Sequence, residues 1–255
     1  MKKLRLDDEK YIKEFLIKNK KSLINLGRTY TNKEIAESID HTILKPEAKP
    51  DDIINICNEA IENKFASVCV NSCYAPLVTS LLDGSSVKTC VVVGFPLGAM
   101  STAAKVAETN DAIEFGANEI DMVINVGMLK QEEYKYVYND IKAVSDVAHE
   151  MNAICKVIIE TSLLNDVEKV KACLISKAAK ADFVKTSTGF NGGGATVEDI
   201  SLMKLVVENK LKVKASGGVR TREDAINMLN AGANRIGASA GVKIIANQIS
   251  NEGGD

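Results

Sequence analysis

The chain has 255 residues, 45% of them apolar and 26% charged, with a formal net charge of −2. That balance is typical of an ordinary water-soluble globular protein and supplies no global field that would attract nucleic acid or an anionic membrane. The length suits one α/β barrel or two small domains, and no apolar run is long enough to span a bilayer.

Met1-Lys2-Lys3 is basic, but charged residues interrupt the next stretch, so no signal-peptide core forms and a cytoplasmic protein is expected. From Leu6 to Gly27, apolar residues at helical spacing (Tyr11, Ile12, Phe15, Leu16) among many lysines predict one or two amphipathic helices. Asn32 to Ser38 predicts a further short helical turn. Neither stretch holds a chemical constellation. Residues 1–38 therefore read as a helical extension and residues 39–255 as the catalytic domain.

From Ile39 the pattern changes to short apolar runs alternating with helical segments. The runs are Ile39–Leu44, Ala66–Asn71, Lys88–Gly94, Glu119–Asn125, Ile154–Glu160, Phe183–Lys185, Lys212–Ser216 and Arg235–Gly237. Helical periodicity covers Asp51–Asn63, Ala75–Leu82, Thr102–Phe115, Lys130–Glu150, Asp166–Ala179, Val197–Asn209, Arg222–Asn230 and Val242–Ile249. This alternation predicts an α/β fold, a closed (β/α)8 TIM barrel with extra N-terminal helices. An open doubly wound sheet is the alternative, but no GxGxxG turn follows the first strand.

In such a barrel the chemistry lies at the carboxyl ends of the strands. Lys185 closes an apolar strand and meets the segment Thr186-Ser187-Thr188-Gly189, whose backbone N–H groups and hydroxyls suit an anion. Lys214 ends up one strand along, so both amines point toward the barrel axis. A cation beside an amine disfavours the neighbour's charged form, and so does desolvation. One lysine can then serve as a neutral nucleophile while the other stays protonated. Asp121 is an acid embedded in an apolar strand, suited to an ion pair or to proton transfer. Lys156 interrupts the next strand and is positioned to join Asp121 in a buried network, and Asp40 belongs to the same ring of strand ends.

Glycines follow the last three strands: Gly189 with Gly192–Gly194, Gly217-Gly218, and Gly237-Ala238-Ser239. Loops there are the usual phosphate cradle of the fold, and Thr196 and Thr221 are expected N-caps of the adjoining helices. The six cysteines read as reduced thiols, and Cys69 and Cys73 lack the two-residue spacing of a redox or zinc motif. With only His41 and His149 as histidines, no metal site is expected. Two lysines, an acid and a phosphate cradle point to Schiff-base aldol chemistry on a phosphorylated sugar, with no cofactor.

The segments Ile39–Leu44, Val91–Pro96, Glu119–Val123, Lys156–Thr161, Val184–Gly189 and Ala215–Thr221 resemble deoxyribose-phosphate aldolases, in that family's order. The resemblance implies a class I aldolase that cleaves 2-deoxy-D-ribose 5-phosphate to D-glyceraldehyde 3-phosphate and acetaldehyde, in deoxyribonucleotide catabolism. It places the Schiff-base lysine on Lys185, the second lysine on Lys214 and the proton-shuttling acid on Asp121. Substrate and phosphate contacts fall on Thr188, Gly189, Gly217, Gly218, Gly237 and Ser239, with Lys156 and Asp40 in support. A homodimer is the family expectation. The chain departs from the pattern in having Ala240 after Ser239, where many members have a second serine, and in ending without the tail tyrosine of some members. Two competing readings are a different Schiff-base aldolase and a non-catalytic phosphosugar-binding barrel.

Overall fold

Small and branched apolar residues dominate eight short strands, and strands buried on both faces are what a parallel sheet under helices requires. The computed structural model describes residue 6 and residues 8–19 and 27–246. Strands β1 (Ile39–Thr42), β2 (Ser67–Val70), β3 (Lys88–Val93) and β4 (Glu119–Val123) are followed by β5 (Ile154–Ile158), β6 (Phe183–Lys185), β7 (Lys212–Ser216) and β8 (Arg235–Ala238). All neighbours pair parallel and β8 closes on β1, which makes a closed barrel in sequence order. Each strand lies within or close to the run predicted for it.

Helices α1 (Glu9–Asn19) and α2 (Asn32–Ala36) precede the barrel. Its outer ring contains α3 (Pro50–Asn63), α4 (Ala75–Leu82), α5 (Thr102–Glu114), α6 (Val126–Lys130) and α7 (Tyr134–Glu150), then α8 (Asp166–Ala178), α9 (Val197–Val207), α10 (Arg222–Asn230) and α11 (Gly241–Ala246). Thr196 and Thr221 accept from backbone N–H groups three residues on, as expected of N-caps. The predicted helix Lys130–Glu150 begins four residues later, as α7, and a short helix that was not predicted, α6, precedes it. Asn125 caps α6 through its side chain, and Glu132 at φ 64° breaks the path before α7 begins.

The extension packs on the barrel. Helix α1 contacts α8 and α2 contacts α11, and Ile12 and Ile35 are fully buried in the same core as the strands. The predicted helical ends at residues 20–26 and 247–249, and the carboxy-terminal segment without a tyrosine, lie outside the described residues. Among the described residues no helix is long and apolar enough to cross a membrane.

The main apolar core lies between strands and helices. Inside the barrel, Cys69, Cys90 and Val92 form a small apolar group on the β2–β3 side. The remaining lumen is ionic, and a charge inside a protein needs a partner.

Candidate active site

Side chains alternate along a strand, so Lys214 and Ser216 of β7 face the lumen together, as do Glu119 and Asp121 of β4. Asp121 is fully buried and lies at the centre of the lumen. Its Oδ1 accepts from Lys156 Nζ at 2.7 Å. Its Oδ2 accepts from Lys185 Nζ at 2.7 Å and from Lys214 Nζ at 2.6 Å. The two lysines predicted to cooperate thus share a single carboxylate oxygen. Cys90 Sγ lies 3.3 Å from Oδ1, on the apolar side of the lumen.

These contacts run across the barrel as well as around it. Lys156 and Asp121 are register partners on neighbouring strands, and so are Lys185 and Lys214. Lys185 reaches Asp121 over the intervening β5, whereas Lys214 crosses from β7 to β4. Lys214 also pairs with Asp40 of β1, which accepts from Ser67 at 2.7 Å and from Arg235. All four of the predicted residues Lys185, Lys214, Asp121 and Lys156, with Asp40, therefore meet in one network.

Electrostatics sorts the members. Burial by itself would raise the Asp121 carboxyl, but the ammonium groups of Lys156, Lys185 and Lys214 hold it well below the usual carboxylate range. Burial likewise opposes charge on Asp40, and Lys214, Arg235 and Lys156 override it, so this carboxyl too is held down. Lys214 is held above an ordinary lysine because Asp121 and Asp40 outweigh its desolvation. Lys156 behaves in the same way, against Asp121 and Glu119 among others. This direction favours the charged form of Lys214 at neutral pH. Among the described residues the network contains three carboxylates, Asp40, Glu119 and Asp121, against four basic groups, Lys156, Lys185, Lys214 and Arg235.

Lys185 is 3% exposed and opens on a cavity of about 280 Å³ at the carboxyl ends of the strands. Gly217, Gly218, Gly237, Ser239 and Thr188 line the same cavity, which groups most of the predicted phosphate contacts. Gly189 does not line it; it packs behind Gly217. The Thr188 hydroxyl is already committed to Glu160, whose carboxylate also accepts from Asn191 Nδ2 at 2.9 Å. Glu160 thereby holds the loop after β6 in shape. Gly237 is glycine for want of room: a Cβ there would lie 2.4 Å from Ser216 Oγ and 3.2 Å from Lys214 Cε.

Several lining residues escaped the sequence reading. Lys45 and Arg220 bring positive charge to the cavity wall, and Ser216 lines it with a hydroxyl that makes no hydrogen bond within the protein. Glu119 and Arg235 complete the ionic network below. Ser216 lies two residues after Lys214, Glu119 two before Asp121, and Arg235 two before Gly237. The two-residue alternation of a strand was the available signal.

Five of the six cysteines are buried and all are free thiols. Cys69 Sγ, Cys90 Sγ and a carboxylate oxygen of Asp121 lie within 4.8 Å of one another, but the lysine ammonium groups already occupy both Asp121 oxygens. His149 is on the surface and pairs with Asp182 at 2.9 Å.

A family model described as DeoC/LacD family aldolase matches residues 35–247. The chain is similar to a deoxyribose-phosphate aldolase of Clostridium kluyveri, with 58% identity over 213 residues covering 84% of this chain and 97% of that one. Its similarity to the Finegoldia magna enzyme of the same name is also 58%, over 83% of this chain and 99% of that one. Among solved structures, the deoxyribose phosphate aldolase of Aeropyrum pernix, described as a tetramer, superposes with a TM-score of 0.81. It is 30% identical, over 96% of this chain and 99% of that one.

Proposed function

This chain belongs to the DeoC/LacD aldolase family, and we propose that it is a class I enzyme cleaving 2-deoxy-D-ribose 5-phosphate to D-glyceraldehyde 3-phosphate and acetaldehyde. The observation that carries the reading is the single oxygen of Asp121 that holds Lys185 and Lys214 together at the floor of the cavity.

Lys185 is the nucleophile. It has one carboxylate contact, shared with two other ammonium groups, and it alone of the three lysines lines the cavity. Once unprotonated, its Nζ adds to the C1 aldehyde of the open-chain sugar, and loss of water leaves an iminium. A base removes the proton of the C3 hydroxyl, the C2–C3 bond breaks, and its electron pair moves into the iminium to give an enamine. D-Glyceraldehyde 3-phosphate departs with the new C3 carbonyl. Protonation of the enamine at C2 and hydrolysis then free acetaldehyde and the amine. Asp121, in contact with both lysines, relays these protons together with Lys214, which gives up a proton and recovers it within the cycle and whose ammonium also acts as electrostatic companion.

The 5-phosphate fits the wall of Gly217, Gly218 and Ser239, with Lys45 and Arg220 as counter-charges. Gly217 and Gly218 have φ of 82° and 79°, a conformation that favours glycine and turns backbone N–H groups toward an anion. Thr188 serves by shaping the loop with Glu160, and Ser216 offers a free hydroxyl to the sugar. In keeping with the family, the chain is read as a cytoplasmic homo-oligomer, a dimer in its simplest form.

Borohydride added with acetaldehyde will fix a label on Lys185, located by peptide mapping. Lys185→Leu will abolish both labelling and turnover of deoxyribose 5-phosphate. A label that persists in that variant would mean another amine does the chemistry.

A further inference from the structure

Among the described residues, four hydroxyl side chains line the cavity beside Lys185: Thr42, Thr188, Ser216 and Ser239. Each hydroxyl has one proton to donate. Thr42 donates to the backbone carbonyl of Asp40 at 2.7 Å, and Thr188 donates to Glu160 while accepting from Phe190 N at 3.1 Å. Ser239 is exposed to solvent. Ser216 differs from all three: it is only 6% exposed, and its hydroxyl has no hydrogen-bond partner within the protein. A buried hydroxyl left unpaired is unfavourable and calls for a reason.

The backbone that carries this hydroxyl is clamped. Ser216 N donates to Thr186 Oγ1 at 3.0 Å, and Ser216 O accepts from Thr186 Oγ1 at 3.0 Å and from Ala195 N at 3.1 Å. On β8 its register partner is Gly237, whose missing side chain leaves the space that Ser216 Oγ occupies. Lys214 lies two residues earlier on β7, in register with Lys185, and Gly217-Gly218 of the cavity wall follows Ser216 at once. Two residues along a strand span about 6.6 Å. Ser216 therefore stands one layer above the amines and directly below the glycine wall.

We infer that Ser216 is a specificity-determining residue: its hydroxyl hydrogen-bonds the C4 hydroxyl of the sugar and so selects acceptor aldehydes that carry a hydroxyl beside the carbonyl. The inference rests on the aldolase reading above, with C1 on Lys185 and the phosphate on the glycine wall. Two sugar hydroxyls lie between those anchors. The C3 hydroxyl belongs to the layer of Asp121 and Lys214, because it loses its proton when the C2–C3 bond breaks. The C4 hydroxyl is one carbon nearer the phosphate, and Ser216 is one layer nearer the same wall. Cleavage makes C4 the carbon beside the new carbonyl, so in the reverse direction Ser216 meets the 2-hydroxyl of D-glyceraldehyde 3-phosphate. A clamped, unpaired hydroxyl gives up no protein hydrogen bond and little freedom when it takes that partner. Thr188 could do the same only by releasing Glu160.

The experiment measures condensation of acetaldehyde with two acceptors, D-glyceraldehyde 3-phosphate and 3-oxopropyl phosphate, which lacks the 2-hydroxyl. A thermal melt of each protein runs alongside. No condensation with either acceptor in the wild type would end the aldolase reading and this inference with it. With condensation present, the wild type prefers D-glyceraldehyde 3-phosphate in kcat/KM, and Ser216→Ala lowers that preference about tenfold, near the upper range for one neutral hydrogen bond. The free variant melts no lower than the wild type, because a methyl replaces a hydroxyl that had no partner. A purely structural serine would lower both acceptors together and leave their ratio alone. An unaltered ratio, or a wild type that does not discriminate, overturns the inference while leaving the aldolase reading in place. A melting temperature lowered by several degrees, or a variant that does not fold, also overturns it, since either shows the hydroxyl to be bonded in the free protein.

Discussion

Replacing Asp121 by asparagine keeps the shape of the side chain and removes one charge from the centre of the lumen. Three ammonium groups lose their shared partner, but not equally. Lys156 retains Glu119 at 2.6 Å, and Lys214 retains Asp40. Lys185 retains no other carboxylate in contact, and it borders the cavity. The destabilisation should therefore fall near the lower end of the ~3–5 kcal/mol that breaking a buried ion pair costs. For a chain of this size, ~3 kcal/mol lowers the melting temperature by roughly 6–12 °C. Turnover of deoxyribose 5-phosphate should fall by about 10²–10⁴-fold, the usual contribution of a positioned acid or base. Trapping with acetaldehyde and borohydride at long incubation should still label Lys185, because the nucleophile is intact. Calorimetry, steady-state kinetics and peptide mapping on one preparation separate the three effects. Turnover within tenfold of wild type would refute the proton relay, and an unchanged melting temperature would refute the network energetics.

Gly237→Ala places a methyl 2.4 Å from Ser216 Oγ and 3.2 Å from Lys214 Cε, so it should displace Lys214 and cut turnover at least ~10-fold while circular dichroism stays native. Wild-type activity in that variant would show that the lumen has slack at this point. Lys105 and Asp140 form a second fully buried pair, closed by Val123 O at 2.8 Å and outside the lumen. Lys105→Met should cost ~3–5 kcal/mol in denaturant unfolding yet leave the pH profile of trapping unmoved; a moved profile would join this pair to the chemistry. The network also sets how stability varies with pH. Asp40 and Asp121 are held below the usual 3.8, so their contribution is complete above that value and is lost as pH falls through their lower folded values. Lys214 is held above the usual 10.5, so its contribution is complete below that value and is lost as pH rises beyond it. Melting temperature should therefore drop on acidification from about pH 4 downward. A rise over that range would contradict the assignment of these carboxyls.

Much of the barrel was legible because each strand is a short apolar run and each helix a periodic one, and both signals are local. Lys185 and Asp121 announced themselves as charges inside such runs. Glu119 and Arg235 did not, because each stands at the first position of its strand, where a charge commonly faces solvent. The break at Glu132 between α6 and α7 was equally hidden, since the apolar spacing continues through it and only the backbone at φ 64° interrupts the helix.

By itself, the sequence determined which residues would be strands, that their carboxyl ends would carry two lysines and an acid, and where glycine would shape an anion loop. These features arise from side-chain period, turn chemistry and the rarity of charge in a buried run. Only the closed barrel decided that Lys185 and Lys214 share one oxygen of Asp121, that Asp40 crosses to Lys214, and that four basic groups face three carboxylates. Those pairings join strands that are not neighbours in the sheet. No local pattern encodes a contact made through the lumen, which exists only once β8 has closed on β1.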